Sequence, residues 1–478
     1  MDQFIGEGLV QGNGLAIPGI YTLGNINVTP TLNRFDSRRR INSLYAFTSL
    51  GYKDYLYLDV TARNDWSSTL PSESNSYFYP SASLSFILSE VVGLGEAVDF
   101  LKIRANFSQS GLDTNPYSLR KTYRFGTLPN SATNRGTLPN ADLKSVTNTS
   151  LEAGVQAHFF KKRLSVDLAA YQVFSRDQII QAGISQAAGY DAITVNAGEI
   201  ETVGFEAALS GSPIRTKNLE WRLGVNFTTF RSTVNKLYQD LETFIIASGP
   251  GGATVEARPG GRMGDIYGRV FERSGDGEII FNDNGLPSQA ASRELIGNYN
   301  PDFLVGAHTT LSYKGFSAYV LFNIRQGGYI YSYTNAIGAE SGLLSHSVEG
   351  HEDGIVGQGV VRNPDGTFST NTNAASAEAW YYGGFYAREN VEANGFDASF
   401  VKLKEASLSY TFPAAVSRKL RLANLSIAVF GNNLALWTDV PHIDPEAQAL
   451  NGGTLVPGFE VTQLPTARSM GFRINVGI

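Results

Sequence analysis

Apolar and polar side chains alternate along most of this chain, in stretches of about ten residues. Leu101, Ile103, Ala105 and Phe107 alternate with Lys102, Arg104, Asn106 and Ser108. Leu151, Ala153, Val155, Ala157 and Phe159 alternate with Glu152, Gly154, Gln156 and His158. The same beat runs through Leu164/Val166/Leu168, Val203/Phe205/Ala207/Leu209 and Trp221/Leu223/Val225/Phe227. It continues in Phe303/Val305/Ala307/Thr309/Leu311 and Phe316/Ala318/Val320/Phe322/Ile324. In the last segment Met470, Phe472, Ile474, Val476 and Ile478 take one face, and Ser469, Gly471, Arg473, Asn475 and Gly477 the other. Successive side chains of a strand point to opposite faces, so each segment reads as a β-strand with one apolar face.

Strands of a soluble sandwich also alternate, but they usually run about 5–6 residues. These run to about 9–12, the length that lets a tilted strand cross a bilayer. Their polar faces carry charge in mid-strand at Asp59, Arg104, Asp167, Arg222 and Arg473. A wet barrel lumen accepts such groups, while the apolar face meets lipid. Short turns at Tyr52-Lys53-Asp54, Lys161-Lys162-Arg163, Tyr313-Lys314-Gly315 and Ser212 to Asn218 alternate with long polar segments near 111–148, 331–397 and 439–465. Transmembrane barrels have this asymmetry, with the long loops outside the cell. Aromatic clusters at Tyr55/Tyr57, Tyr77/Phe78/Tyr79, Phe159/Phe160, Tyr329/Tyr331/Tyr333 and Trp437 fit interfacial girdles. The expected fold is therefore all-β: a transmembrane antiparallel barrel segment of about fourteen strands. Residues 89–99 and 413–422 read as short helical or irregular turns, and residues 1–34 as an irregular N-terminal segment ahead of a barrel portion over 35–478.

Composition narrows this further. Charged residues make up 17% of the chain, against about 25% for an ordinary soluble domain. A net charge of −6 gives no basic face for nucleic acid, so no nucleic-acid partner is expected. The absence of Cys excludes a disulfide framework and a thiolate metal site. No apolar run reaches the 18 or so residues of a spanning helix. The N-terminal stretch has no basic n-region and no apolar h-region, so no secretory signal is read there.

Several segments, in order, resemble the C-terminal barrel of SusC/RagA-type TonB-dependent transporters. Ala62-Arg63-Asn64-Asp65-Trp66-Ser67-Ser68 followed by Tyr77-Phe78-Tyr79-Pro80-Ser81-Ala82-Ser83-Leu84-Ser85 is similar to the family's R-N-D-x-S-S stretch and its F-x-P-S-x-S-L strand. Leu101-Lys102-Ile103-Arg104 resembles its L-K-I-R strand, and Tyr299-Asn300-Pro301-Asp302-Phe303 with Tyr313-Lys314-Gly315-Phe316 its N-P … Y-K-G-F hairpin. Phe400-Val401-Lys402-Leu403-Lys404, Asn432-Asn433-Leu434 and Asp444-Pro445-Glu446 complete the series, which spans residues 35–478. The resemblance implies an outer-membrane 22-stranded barrel with an N-terminal plug. It also implies TonB-driven import of oligosaccharides or peptides and a SusD-like lipoprotein lid. TonB would act through a plug that is not read in this chain. We therefore expect remaining barrel and plug residues, or a companion chain, to complete the barrel, with membrane lipid around it. A transport-inactive barrel serving as a scaffold is the rival expectation.

No catalytic set, metal or cofactor is expected. His158 and His308 fall on polar strand faces, where they line the lumen. His346 and His351 stand near Glu349, Glu352 and Asp353, which have the ligand types for a divalent metal; a solvated loop is the simpler reading. The acidic, Gly-rich stretch Ser274–Gly285 lacks EF-hand spacing and reads as a turn. The aromatic patch Trp380, Tyr381, Tyr382, Phe385 and Tyr386 is the candidate substrate surface, since ring faces stack on sugars or peptide side chains. Packing of a long loop on its neighbours is the equal alternative.

Overall fold

The alternating segments form one continuous antiparallel ladder of thirteen strands, each paired with its neighbours in sequence order. The computed structural model describes residues 2–10, 16–20, 22, 25, 31–125, 131–134, 136–238, 241–447, 449–451 and 454–478. The strands are β1 (Ile41–Tyr52), β2 (Leu56–Ser67), β3 (Ser76–Ile87), β4 (Val98–Leu112), β5 (Val146–Phe159), β6 (Leu164–Arg176) and β7 (Glu199–Arg215). They continue as β8 (Leu219–Lys236), β9 (Phe303–Tyr313), β10 (Phe316–Gln326), β11 (Phe400–Thr411), β12 (Asn424–Thr438) and β13 (Ser469–Gly477). Among the described residues no helix is long and apolar enough to cross a membrane. The sheet holds one strand fewer than the fourteen expected.

Register turns the sequence pattern into layers. One row runs Leu58, Leu84, Ala105, Ala153, Ala170 and Phe205 across β2 to β7. Another runs Leu209, Val225, Ala307, Phe322 and Leu403 across β7 to β11. These rows form the apolar face, and Leu84, Leu209 and Val225 remain exposed on it. Polar residues take the other face. There Arg104 donates to Asp167 at 2.8 Å and to Glu152 at 3.3 Å, bridging β4, β5 and β6. His158 bonds Ser165 at 2.9 Å on this face.

Connections alternate in length as the pattern predicts, although the long ones at 177–198 and 237–302 were not among those expected. One end carries the turns 53–55, 160–163, 216–218 and 314–315. In the last of these, Lys314 and Gly315 both adopt positive φ, 46° and 93°, as a two-residue hairpin of this twist requires. The same end carries Leu88–Glu90 as a single 3₁₀ turn and α2 (Ala414–Lys419), where short helical or irregular turns were expected. Long connections, 113–145, 177–198, 237–302, 327–399 and 439–468, gather at the opposite end, where a short helix, α1 (Tyr333–Glu340), lies.

Two expectations are corrected. Residues 1–34 are not wholly irregular, since Asp2–Val10 pairs antiparallel with Thr31–Arg39 in a separate two-stranded ladder. Backbone pairing satisfies that segment although its side-chain alternation is weak. The aromatic girdle is also narrower than expected. Tyr52, Tyr55 and Phe86 pack edge to face at 5.6 and 5.9 Å at the short-turn end, where Tyr410 also packs edge to face on Phe412 at 5.0 Å and tilted against Phe316 at 4.5 Å. Tyr77, Tyr79, Tyr329 and Tyr331 lie elsewhere: the first two on the polar face and the other two inside the long-loop mass.

Burying an arginine at the bilayer midplane costs about 2–4 kcal/mol in barrels. Val225→Arg, on the apolar face between Leu209 and Ala307, should lose about that much stability in denaturant unfolding from lipid vesicles. Asn226→Arg, one residue along and facing the opposite way, should lose much less; equal losses would mean that the assigned faces are wrong.

Candidate binding mouth

The long connections do not wave freely above the sheet. Tyr329–Ser332 forms a short strand held antiparallel by Gly395–Asp397 and parallel by Phe459–Glu460. Around it Ala253, Val255 and Ile266 from the 237–302 connection meet Tyr331 and Val391 from 327–399 and Val456 and Phe459 from 439–468. Three connections therefore share one buried core. Burial pushes the Tyr331 and Tyr329 hydroxyls well above the usual tyrosine range.

Buried polar groups lock this core in place. Glu460 is fully buried and accepts from Ser332 Oγ at 2.9 Å, Thr334 N at 3.2 Å and Thr334 Oγ1 at 2.6 Å. Ser332 itself caps α1, accepting from Asn335 N at 3.1 Å. A carboxylate at a helix N-terminus satisfies orphan amides and complements the dipole. Arg388 grips Glu340, at the far end of α1, with two bonds of 2.7 Å.

The tie between loops and barrel is ionic. Lys402 on β11 is 2% exposed and bonds both Asp444 and Glu446 of the 439–468 connection. Lys404 reaches Glu446 at 2.9 Å, and Thr466 donates to Asp444 at 2.6 Å. A β-bulge between Leu403 and Glu405 puts Glu405 on the polar face while Ala406, Leu408 and Tyr410 keep the apolar one. Burial raises the Asp444 and Glu446 carboxyls, yet the lysine hydrogen bonds outweigh it and hold both below the usual carboxylate range.

A cavity of about 250 Å³ opens where these loops meet the strand ends, lined by Phe230, Tyr299, Asn300, Arg325, Tyr329 and Pro457 among others. Arg325 there donates to the Tyr299 carbonyl at 2.5 Å and to the Gly327 carbonyl at 3.2 Å. It makes no carboxylate ion pair among the described residues.

The five predicted aromatic residues come together, but four of them turn inward. Trp380 stacks on Phe385 at 5.0 Å and on Phe281 at 6.2 Å. Tyr381 donates to the His346 carbonyl at 2.5 Å, and Tyr386 stacks on the His346 ring at 4.7 Å. Trp380 and Tyr381 are buried, whereas Tyr382 is 66% exposed. His351 binds the Ser347 carbonyl at 2.9 Å, and no group of three metal-ligating side chains stands together among the described residues. The 274–285 stretch closes as successive turns, with Asn282 Oδ1 accepting from the amides of Asn284 and Leu286. Sequence reasoning missed Lys402 and Glu460. The signal for the first was a lysine between apolar neighbours on β11 and a distant Asp-Pro-Glu; nothing in sequence joined them.

The family model described as "TonB dependent receptor-like, beta-barrel" matches residues 9–434. The chain belongs to this family. As a TonB-dependent receptor barrel it resides in the outer membrane, with its long connections on the outside. TonB-dependent receptor P3 of Formosa agariphila is 24% identical over 94% of this chain and 46% of its own length. TonB-dependent receptor SusC of Bacteroides thetaiotaomicron is 25% identical over 64% of this chain and 34% of its own. This receptor barrel thus spans about half the length of its curated relatives, or less. Among solved structures, the RagAB peptide transporter is similar in fold, with a TM-score of 0.75 and 16% identity over 99% of this chain and 52% of that one.

Removing one partner of a buried charge cluster costs about 3–5 kcal/mol. Lys402→Met should therefore loosen the 439–468 connection, read as faster cleavage there by added protease while the barrel stays folded. The depressed carboxyls add stability that is complete above their ordinary values of 3.8 and 4.5 and disappears as pH falls below them. Protease sensitivity of the wild type should accordingly rise below about pH 4, and a pH-independent cleavage rate would contradict the assignment.

Proposed function

We propose that the protein works in TonB-dependent import of a bulky nutrient, an oligosaccharide or a peptide, together with a SusD-like surface lipoprotein. Residues 35–478 supply the C-terminal portion of its barrel. What carries this reading is the fused loop mass over one rim of a polar-faced sheet, in a chain of the receptor family. Such a mass makes a fixed wall for a large ligand and a broad seat for a lid. RagAB, similar in fold, is described as a peptide transporter, which supports the bulky-cargo reading.

The outer strands β1 and β13 have no further ladder partner among the described residues. An unpaired edge in hydrocarbon leaves each backbone group unsatisfied at several kcal/mol. Further barrel strands, from this protein or a companion chain, pair with them, and TonB acts through an associated plug. Of the candidate aromatics, Tyr382 offers its ring to cargo, while Trp380, Tyr381, Phe385 and Tyr386 hold the loop that presents it.

The test is uptake by whole cells. Loss of TonB function should abolish uptake of the nutrient on which this gene is induced, and the protein purified from outer membranes should bring a surface lipoprotein with it. Uptake indifferent to TonB would leave a scaffold role instead. Losing one ring contact is worth about 0.5–1.5 kcal/mol. Tyr382→Ala should thus raise the half-saturating nutrient concentration about two- to tenfold with the maximal rate unchanged, measured by labelled-nutrient uptake.

A further inference from the structure

A second cavity, of about 440 Å³, lies between the 113–145 and 177–198 connections, built from other loops than the mouth. Its size falls within the roughly 300–1,000 Å³ of ordinary ligand pockets. Arg120, Lys121, Thr122, Asn134, Tyr190 and Tyr117 contribute to its wall, and no Asp or Glu lines it among the described residues.

Three features point to an absent occupant. Tyr190 is 8% exposed, and its buried hydroxyl faces the Lys121 ammonium, a donor only, so that the hydroxyl proton has no acceptor among the described residues. Thr122 Oγ1 is buried without a hydrogen-bond partner among the described residues. Buried hydroxyls in folded proteins are nearly always paired with protein or water, so these two are groups that a bound molecule can satisfy. Arg120 and Lys121 have no carboxylate partner among the described residues; Lys121 Nζ rests 5.5 Å from the Tyr123 ring centroid and 5.4 Å from that of Tyr190. Finally, Tyr117 shows a half-exposed ring at the rim, fixed by the Arg38 amide, which donates to its hydroxyl at 3.3 Å.

We propose that this cavity binds an acidic sugar, a carboxylated or sulfated unit of an oligosaccharide. Arg120 and Lys121, neither with a carboxylate partner among the described residues, attract the anionic group and disfavour cationic ligands. The orphan hydroxyls and the Asn134 amide meet ring hydroxyls, and the anchored Tyr117 face stacks on the apolar side of a pyranose. The proposal is independent of import, since it concerns binding alone.

Calorimetry on the full-length protein in detergent tests it, with trigalacturonate and a sulfated galactose trimer as probes and neutral galactotriose as the comparison. At least one acidic probe should bind saturably, and more weakly at high salt, with galactotriose at least tenfold weaker. R120A/K121A should weaken acidic binding at least tenfold, and the milder Tyr190→Phe about threefold, with the heat-modifiable barrel band unchanged in both. Absence of saturable binding by either acidic probe overturns the proposal, as does binding indifferent to R120A/K121A. Equal affinity for triglutamate, with the same dependence on Arg120 and Lys121, would overturn the sugar assignment in favour of an acidic peptide.

Discussion

Hydrocarbon supplies no hydrogen bonds, so every backbone N–H and C=O that crosses it must be paired within the protein. That constraint shapes this chain more than any side-chain contact. It forces a ladder in which each strand meets the one before and the one after, from β1 to β13, with no crossover. Once the ladder is set, strand parity alone assigns each side chain to lipid or to the polar face. Arg104 can stand between Glu152 and Asp167 because all three share a face that lipid never sees.

This explains why the membrane part of the fold was legible and the mouth was not. A period of two needs no long-range information, so Leu101 to Phe107 or Met470 to Val476 announce their faces by themselves. Even the departure at β11 leaves a mark: Val401 and Leu403 are odd, while Ala406, Leu408 and Tyr410 are even, and the change of parity falls at the bulge. The girdle was misjudged where aromatic type was taken for position. Tyr79 donates to Asp65 on the polar face, and Tyr331 is wholly buried among the loops.

Loops of the mouth obey a different rule. Outside the bilayer, water can satisfy the backbone, so no periodicity is imposed and order must come from side-chain burial. Here the connections are long enough to build cores of their own. Sequence left Trp380 evenly poised between an exposed stacking face and loop packing; nearby Phe385 and, from about a hundred positions upstream, Phe281 cover it. Proximity in space between residues so far apart leaves no trace in one sequence. The same holds for Glu460, whose partners Ser332 and Thr334 lie more than a hundred positions away.

A loop core alone would leave the mouth free to rock on the barrel, because apolar contacts are non-directional. Lys402 removes that freedom. It sits on a membrane strand but spends its charge on Asp444 and Glu446 of a loop, in a place where neither partner could remain unpaired without large cost. Such a cluster adds little net stability over an apolar substitute, but it admits one geometry. Glu460, on the same 439–468 connection, then carries that geometry to the N-terminus of α1, and Arg388 fastens the far end of the helix through Glu340. Position thus passes from ladder to loop through directional bonds. A surface that must meet a lid and a cargo in fixed register gains more from that ordering than from a further increment of hydrophobic burial.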